Sequence, residues 1–332
     1  IGITGSNGKT IVKEWLNEML SPHNKIVKNP GSYNSQLGVP LSVWQMGAAH
    51  DLGIFEAGVS RAGEMKKLQE IIQPTIGIFT NVLSAHDEGF ESRTQEALEK
   101  AQLFRNSASV VFCNDHELIK VAMSHIKTPK HFTWGTSPEA DVRITKHSPR
   151  TYQIGYLKHS VTISKEFTDA ASWENLFHCV TTMLCLGHSL EKITGGLEQL
   201  KSLPMRLEMK AGLNGNTIID DSYSNDLAGL SIALDFFTSQ RSGKGLVFLS
   251  DMLETGLQGE EWIDQINTLV VQHKIDQLVA IGPMLTQNVK RLSVRAVAYE
   301  SAEACLKNFP VDKLSNATLL IKGARAFRLE KI

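Results

Sequence analysis

The segment Ile1-Gly2-Ile3-Thr4-Gly5-Ser6-Asn7-Gly8-Lys9-Thr10 constrains this chain more than any other. A short β-branched run enters a glycine-rich turn, and a segment of helical composition follows from Lys9 to Leu20. Glycines let successive main-chain N–H groups converge on phosphate oxygens, and the start of a helix adds positive potential. A lysine at the helix entrance reaches terminal phosphates, and the neighbouring threonine hydroxyl suits Mg²⁺. Gly5, Ser6, Asn7, Gly8, Lys9 and Thr10 are therefore the candidate ATP-binding residues, with Thr10 also a metal candidate. The spacing departs from G-x-x-x-x-G-K-[ST], because Ile3 stands where the first glycine should be. That departure points to a subfamily of phosphate loops.

A loop of this kind sits at the end of a parallel strand, and the rest of the chain supplies such strands. Ile1–Thr4, Leu52–Glu56, Thr75–Thr80 and Ser109–Asn114 alternate with helix candidates at Lys9–Leu20, Gly63–Ile72 and Ser92–Asn106. This rhythm predicts an α/β fold with a mostly parallel sheet covered by helices. Between Asp141 and Ser164 the pattern becomes short alternating stretches, predicting an antiparallel patch on the sheet edge. Helices near Ala171–Leu186 and Ser189–Leu200 follow, and Pro204 breaks the pattern. Beyond it, strands at Thr217–Asp221, Gly245–Ser250, Gln277–Ile281, Arg295–Ala298 and Thr318–Lys322 predict a smaller, Rossmann-like second domain. Asn214-Gly215 is a strong hairpin signal just before the first of these. The expected division is 1–204 and 205–332, and 332 residues suffice for two cores.

Lys plus Arg number 34 against 35 Asp plus Glu, so the net charge of -1 leaves no footprint for nucleic acid or an anionic membrane. No apolar run approaches a bilayer span and no signal peptide precedes the loop, so a cytoplasmic location is expected. Cys113, Cys179, Cys185 and Cys305 show neither C-x-x-C pairing nor zinc-finger spacing and read as reduced packing residues.

Thr4 to Thr10 resembles the T-G-[ST]-x-G-K-T loop of the Mur ligases, and further matches follow in order. Tyr33 to Leu41 is similar to N-N-x-I-G-V-P-L, and Phe55-Glu56-Ala57-Gly58 with Gly63-Glu64-Met65 to E-x-G-x-x-x-x-G-E-I. Asn81 comes next, then His86-Asp87-Glu88-Gly89-Phe90 resembles H-L-E-G-F, and Lys100 to Phe104 stands in the place of K-G-E-I-F. Later, Pro204-Met205-Arg206-Leu207 is similar to P-G-R-L, and Asp220-Asp221-Ser222-Tyr223 to the start of D-D-S-Y-N-A-N-P. Ser250 to Gly256 resembles G-D-M-x-E-L-G, and Ile321 to Arg325 resembles V-K-G-S-R. Three departures stand out: Ser224-Asn225-Asp226-Leu227 replaces N-A-N-P, Ala101-Gln102 replaces G-E, and the family's N-terminal UDP-sugar-holding domain has no counterpart in this sequence.

The resemblance implies a central ATP-binding domain followed by the family's C-terminal domain. It implies an ATP-dependent ligase of peptidoglycan precursor synthesis, in the branch that joins D-Ala-D-Ala to UDP-MurNAc-tripeptide through an acyl phosphate. Its cofactors would be ATP and Mg²⁺. Lys9, His86 and Lys100 would be catalytic; Thr10 and Glu56 would hold one Mg²⁺, and His86 and a CO₂-carbamylated Lys100 would serve a second. Asn34, Asn81, Asn175, Arg206 and Asp221 would meet the nucleotide, and Lys322 and Arg325 the incoming substrates. Read from the residues alone, Asn34 and Asn81 are equally turn residues, Glu56 a strand-end carboxylate, His86 a solvated loop residue and Lys100 a helix-surface charge. A monomer is expected, with fusion to an alanine racemase left open. The alternatives are another Mur ligase, a folylpolyglutamate-synthase-like ligase, against which Gly8-Lys9-Thr10 speaks, or an ATP-binding fragment inactive without its UDP-sugar domain.

Overall fold

The computed structural model describes residues 1–83, 89–127, 130–200, 203–252 and 261–332. The described residues up to Leu200 form one compact unit, and those from Leu203 onward form a second.

In the first unit the strands are β1 (Gly2–Thr4), β2 (Ile26–Lys28), β3 (Leu52–Glu56), β4 (Ile76–Phe79), β5 (Ser109–Cys113), β6 (Lys130–Gly135), β7 (Val142–Ser148), β8 (Thr151–Tyr156) and β9 (His159–Ser164). The helices are α1 (Lys9–Leu20), α2 (Gly38–Val43), α3 (Glu64–Ile72), α4 (Arg93–Ala101), α5 (Glu117–Ser124), α6 (Ala170–Cys185) and α7 (Leu190–Leu197). The strands lie in the order β2-β3-β1-β4-β5-β6-β7-β8-β9. They are parallel from β2 through β7, and β7, β8 and β9 pair antiparallel at the edge. The chain leaves β1 in one direction, through β2 and β3, and returns to β4 on its other side. In open α/β sheets, ligands bind outside the carboxyl ends of the strands at such a reversal.

Alternation along the strands explains why both faces are covered. Ile78, Val111 and Cys113 face the layer of α1 and α6, where Trp15, Leu16, Trp173, Leu176 and Val180 are buried. Phe79, Val110 and Phe112 face the opposite layer, with Met65, Leu68, Ala97 and Phe104. Parallel strands buried on both sides need such near-continuous apolar runs. Side-chain caps set the starts of three of these helices. Ser92 Oγ accepts from Gln95 N, Asp169 from Ser172 N and Ser189 from Lys192 N, each worth roughly 1 kcal/mol. The helix expected over Ser92–Asn106 ends earlier, at Ala101, and tightens into a 3₁₀ turn over Gln102–Phe104.

The second unit contains β10 (Glu208–Ala211), β11 (Thr217–Asp221), β12 (Lys244–Ser250), β13 (Gln277–Ile281), β14 (Ala296–Tyr299) and β15 (Ala317–Lys322). Its helices are α8 (Leu227–Gln240), α9 (Glu261–Gln272), α10 (Pro283–Asn288) and α11 (Ala302–Asn308). The strand order is β10-β11-β15-β12-β13-β14, parallel except for the β10–β11 hairpin. In that hairpin Asn214 and Gly215 both take positive φ, 55° and 72°, and Asn216 N donates to Leu213 O at 3.1 Å. That is the backbone an Asn-Gly hairpin turn requires. Pairing of Ala211 with Thr217 leaves Gly212 as an extra residue beside the turn. Sequence reasoning did not find β2, β6 or β10. At three residues β2 is too short to show a period, and β10 is largely exposed, with no apolar face to read.

Candidate active site

The carboxyl ends of β1, β3 and β4 come together around residues 4–8. Thr4 Oγ1 donates to Ala57 O at 2.9 Å, and Ser6 N donates to Asn81 O at 2.9 Å. Asn7 N donates to Asn81 Oδ1 at 2.8 Å, and Thr80 Oγ1 donates to Asn7 O at 2.6 Å. The loop is thus hung from Thr80 and Asn81, residues that follow β4. Two glycines make this possible. Gly5 has φ 144°, and a Cβ there would lie 1.9 Å from Thr80 Oγ1 and 2.9 Å from Asn81 N. Gly8 caps α1 at φ 83°, and a Cβ on it would lie 2.2 Å from Asn175 Oδ1. The second approach shows why an asparagine sits in an otherwise apolar helix: α6 brings buried Asn175 against the loop's last turn.

Lys9 curls back over this loop, its Nζ donating to Gly5 O at 2.6 Å and Ser6 O at 2.9 Å. Thr10 follows it in the first turn of α1, where main-chain N–H groups point toward the loop. The structure therefore gathers Gly5, Ser6, Asn7, Gly8, Lys9, Asn81 and Asn175 in one place. Asn34 is nearby in the fold. Its carbonyl accepts from Gly58 N at 2.8 Å, and its side chain packs where a Gly58 Cβ would be.

Glu56 ends β3, opposite Ile3 of β1. It is fully buried, and among the described residues neither carboxylate oxygen has a hydrogen-bond partner. Buried Lys13 is its ion-pair partner among the described residues, with Nζ 3.9 Å from Oε2. Lys13 is shared with Asn29 O at 2.8 Å, with Gly31 O, and with Glu14 Oε1 at 3.3 Å. Asn29 fixes the backbone here, since Glu56 N donates to Asn29 Oδ1 at 2.7 Å. A buried carboxylate without hydrogen bonds is costly. A hard divalent cation supplies the missing partner, so Glu56 fits Mg²⁺. Among the described residues no three His, Cys, Asp or Glu side chains cluster as a metal cage. Mg²⁺ does not require one, because it is commonly held by one or two protein oxygens plus phosphates and water.

Lys100, on α4, is buried and ion-paired with Glu96 Oε1, and its Nζ donates to Ser6 Oγ at 3.1 Å. His86 lies outside the described residues, as do Leu253, Glu254, Thr255 and Gly256 of the Ser250 segment.

Sequence reasoning missed Glu96, Thr80 and His178. Glu96 had a legible signal, since Glu and Lys four apart on a helix form a pair. His178 had none. Its ring is buried, Trp134 Nε1 donates to Nδ1 at 3.1 Å, and Nε2 lies 3.1 Å from Thr80 O. An indole can only donate and a carbonyl only accept, so the ring is neutral with its proton on Nε2. His178 thereby steadies Thr80, which in turn holds the loop. Burial first, and then the nearby His116, push its pKa down to about 3, against the opposing hydrogen bond to Thr80. The unfolded chain therefore takes up a proton below about 6.5 that the folded chain refuses until about 3. Stability should fall as pH drops through that window, because the unfolded state binds more protons there. In thermal melts across this range, His178→Gln should show a shallower fall of Tm than wild type. Equal slopes would remove His178 as a source of acid sensitivity.

The second unit gathers its own candidates. Lys322, the last residue of β15, is buried, and its Nζ pairs with Asp221 Oδ2 at 2.8 Å and donates to Ser224 O at 2.7 Å. Arg206 and Arg325 both stack on Tyr223, with guanidinium carbons 4.4 Å and 5.5 Å from the ring centroid. Such stacking holds the Arg heads in place. Met205 takes φ 59° and Leu207 φ 51° on either side of Arg206. Met205 stands where the resembled motif has glycine, and its left-handed backbone costs of order 1 kcal/mol.

A strand-fed glycine loop with its lysine, beside an orphaned carboxylate at a sheet reversal, defines a phosphate-loop nucleotide-binding site. Residues 3–175 match the family described as Mur ligase middle domain. The chain belongs to the Mur ligase family. It is 25% identical to the UDP-N-acetylmuramoyl-tripeptide--D-alanyl-D-alanine ligase of Bacillus subtilis, over all of this chain and 74% of that protein. The Treponema pallidum enzyme of the same name is 26% identical, over all of this chain and 73% of its own length. Among solved structures, MurF from Acinetobacter baumannii superposes with a TM-score of 0.84 at 22% identity, covering 99% of this chain and 74% of that one. MurF ligase from Thermotoga maritima in complex with ADP gives 0.81 at 20% identity, covering 99% and 77%. No helix of the described residues is long and apolar enough to cross a membrane.

Proposed function

We propose that this chain is the ATP-binding and C-terminal part, residues 1–204 and 205–332, of a ligase in peptidoglycan precursor synthesis. It joins D-Ala-D-Ala to UDP-MurNAc-tripeptide. Two relatives bearing that activity in their names align over the entire chain, which favours this branch over other Mur ligases. The observation that carries the chemistry is Glu56, a buried carboxylate with no hydrogen bond among the described residues, at the end of the strand beside the phosphate loop.

A carboxylate is a poor electrophile until one oxygen becomes a good leaving group. In the proposed reaction a carboxylate oxygen of the tripeptide attacks the γ-phosphorus of ATP, and ADP departs. The amine of D-Ala-D-Ala then attacks the acyl carbon and expels phosphate. Phosphoryl transfer needs positioning and charge neutralisation more than covalent help. Main-chain N–H groups of the loop and first turn of α1 orient the phosphates. Lys9 leaves its carbonyl partners to neutralise the transferring group. Thr10 and Glu56 would hold Mg²⁺, which would supply positive charge to the phosphates. Asn81 and Thr80 keep the loop from moving as charge shifts. Arg206, Asp221, Lys322 and Arg325 remain the candidates for nucleotide and substrate contacts in the second unit.

The test is phosphate release from ATP by the 332-residue chain, measured with each substrate alone and with both. Release, with formation of the ligated product, is expected only when UDP-MurNAc-tripeptide and D-Ala-D-Ala are both present. Equal release with another amino acid in place of D-Ala-D-Ala would point to a different branch and sink this reading.

A further inference from the structure

We propose that Tyr223 is a positioning residue whose one ring sets the headgroups of both Arg206 and Arg325, so that the nucleotide contact and the substrate contact of the second unit are held, and lost, together. The inference deepens the proposed function and rests on the roles given there to the two arginines. β11 and β15 are adjacent parallel strands with Asp221 opposite Lys322 at their carboxyl ends, where α/β sheets bind ligands. Tyr223 and Arg325 lie just beyond those ends, and Arg206 lies just ahead of β10, the hairpin partner of β11. The main chains of both arginines are pinned. Gly323 N donates to Asp221 O at 3.3 Å, Ala324 N to Ser250 Oγ at 2.9 Å and Arg325 N to Tyr223 O at 3.1 Å. Arg206 N donates to Leu203 O at 3.2 Å, and Leu207 N to Asp221 Oδ1 at 3.3 Å.

Fixing a main chain does not fix a guanidinium. Arginine has several rotatable bonds and Arg325 is exposed, so ordering its head when a ligand arrives costs side-chain entropy. Stacking on Tyr223, at 4.4 Å for Arg206 and 5.5 Å for Arg325, orders both heads beforehand. The electron-rich ring face attracts each cation and so offsets the repulsion between them. A guanidinium matches phosphate and carboxylate alike, so the oxyanions of the nucleotide and of the dipeptide both fall within the chemistry of this pair. An aliphatic side chain of similar size would fill the space without that attraction, whereas phenylalanine keeps it. The ring face, and not the hydroxyl, is what the positioning uses.

Two measurements test the proposal. In steady-state ligation, Tyr223→Leu that is folded by circular dichroism should raise KM for ATP and KM for D-Ala-D-Ala by roughly tenfold each, with kcat within about threefold of wild type. Tyr223→Phe should bring both KM values back to within about twofold of wild type. A rise in one KM alone would overturn the shared positioning, and Tyr223→Phe as impaired as Tyr223→Leu would move the effect to the hydroxyl and overturn the stacking role. Unchanged KM values, with or without a lower Tm, would leave Tyr223 a packing residue. The stacking itself is read without any ligand. In ¹H–¹⁵N spectra of the wild-type chain, the Nε–H resonances of Arg206 and Arg325 should both carry a ring-current shift, which Tyr223→Phe keeps and Tyr223→Leu removes. Lack of that shift at either arginine in wild type would overturn the proposal. If wild type showed no ligation, the proposed function would fall, while the spectrum would still decide whether one ring holds both arginines.

Discussion

Glu56→Gln should leave the protein as stable as wild type or more so, and should cut Mg²⁺-dependent ATP turnover by about a hundredfold or more. The two effects have one origin. Among the described residues the oxygens of fully buried Glu56 lack hydrogen bonds and face only Lys13 at 3.9 Å, so its desolvation cost is incompletely offset. Removing one partner of a buried pair is normally damaging, because the other charge is stranded. Here Lys13 is not stranded, since it keeps Asn29 O, Gly31 O and Glu14. The amide should therefore relieve cost without creating a new one. The same amide carries no charge for a divalent cation, and losing charge stabilisation worth about 3 kcal/mol corresponds to roughly a hundredfold in rate. Thermal melts without Mg²⁺ and phosphate release with it give the two readouts. Wild-type turnover in Glu56→Gln would remove the metal role from this residue, and a large fall in Tm would show that the carboxylate serves the fold.

Lys9→Ala should weaken ATP binding by roughly 30- to 150-fold while shifting Tm by no more than a few degrees. A charge-assisted hydrogen bond to phosphate contributes about 2–3 kcal/mol, and about 1.4 kcal/mol is tenfold in affinity. The small effect on stability follows from how the loop is held. Lys9 Nζ donates to carbonyls three and four residues back, within its own loop. The loop's long-range anchors are Asn81 on two main-chain N–H groups, Thr80 on Asn7 O and Glu96 on Ser6. None of them depends on the lysine. Isothermal titration with ATP and Mg²⁺, beside a melt of the same sample, checks both parts. Unchanged ATP affinity would undo the phosphate-loop assignment, and with it the reaction built upon it.

The segments legible in the sequence are those whose physics is local. Thr4 to Thr10 announces a phosphate loop because glycine, lysine and threonine are each required by short-range geometry. The apolar runs of β3, β5, β12 and β15 announce buried parallel strands for the same reason, as does Asn214-Gly215 for a turn with two positive φ values.

What only the tertiary structure decided is how remote polar groups are paired. Ser6 meets Glu96 across 90 residues of sequence and Lys100 across 94, and Thr80 O meets His178 across 98. Asn29 braces the Glu56 main chain across 27. No spacing rule contains these pairs. Sheet order places β1 between β3 and β4, and that order comes from burying apolar faces on both sides of the sheet. Composition and periodicity determined which strands and which loop this chain would have; the packing of the sheet determined which charges those elements would bring face to face.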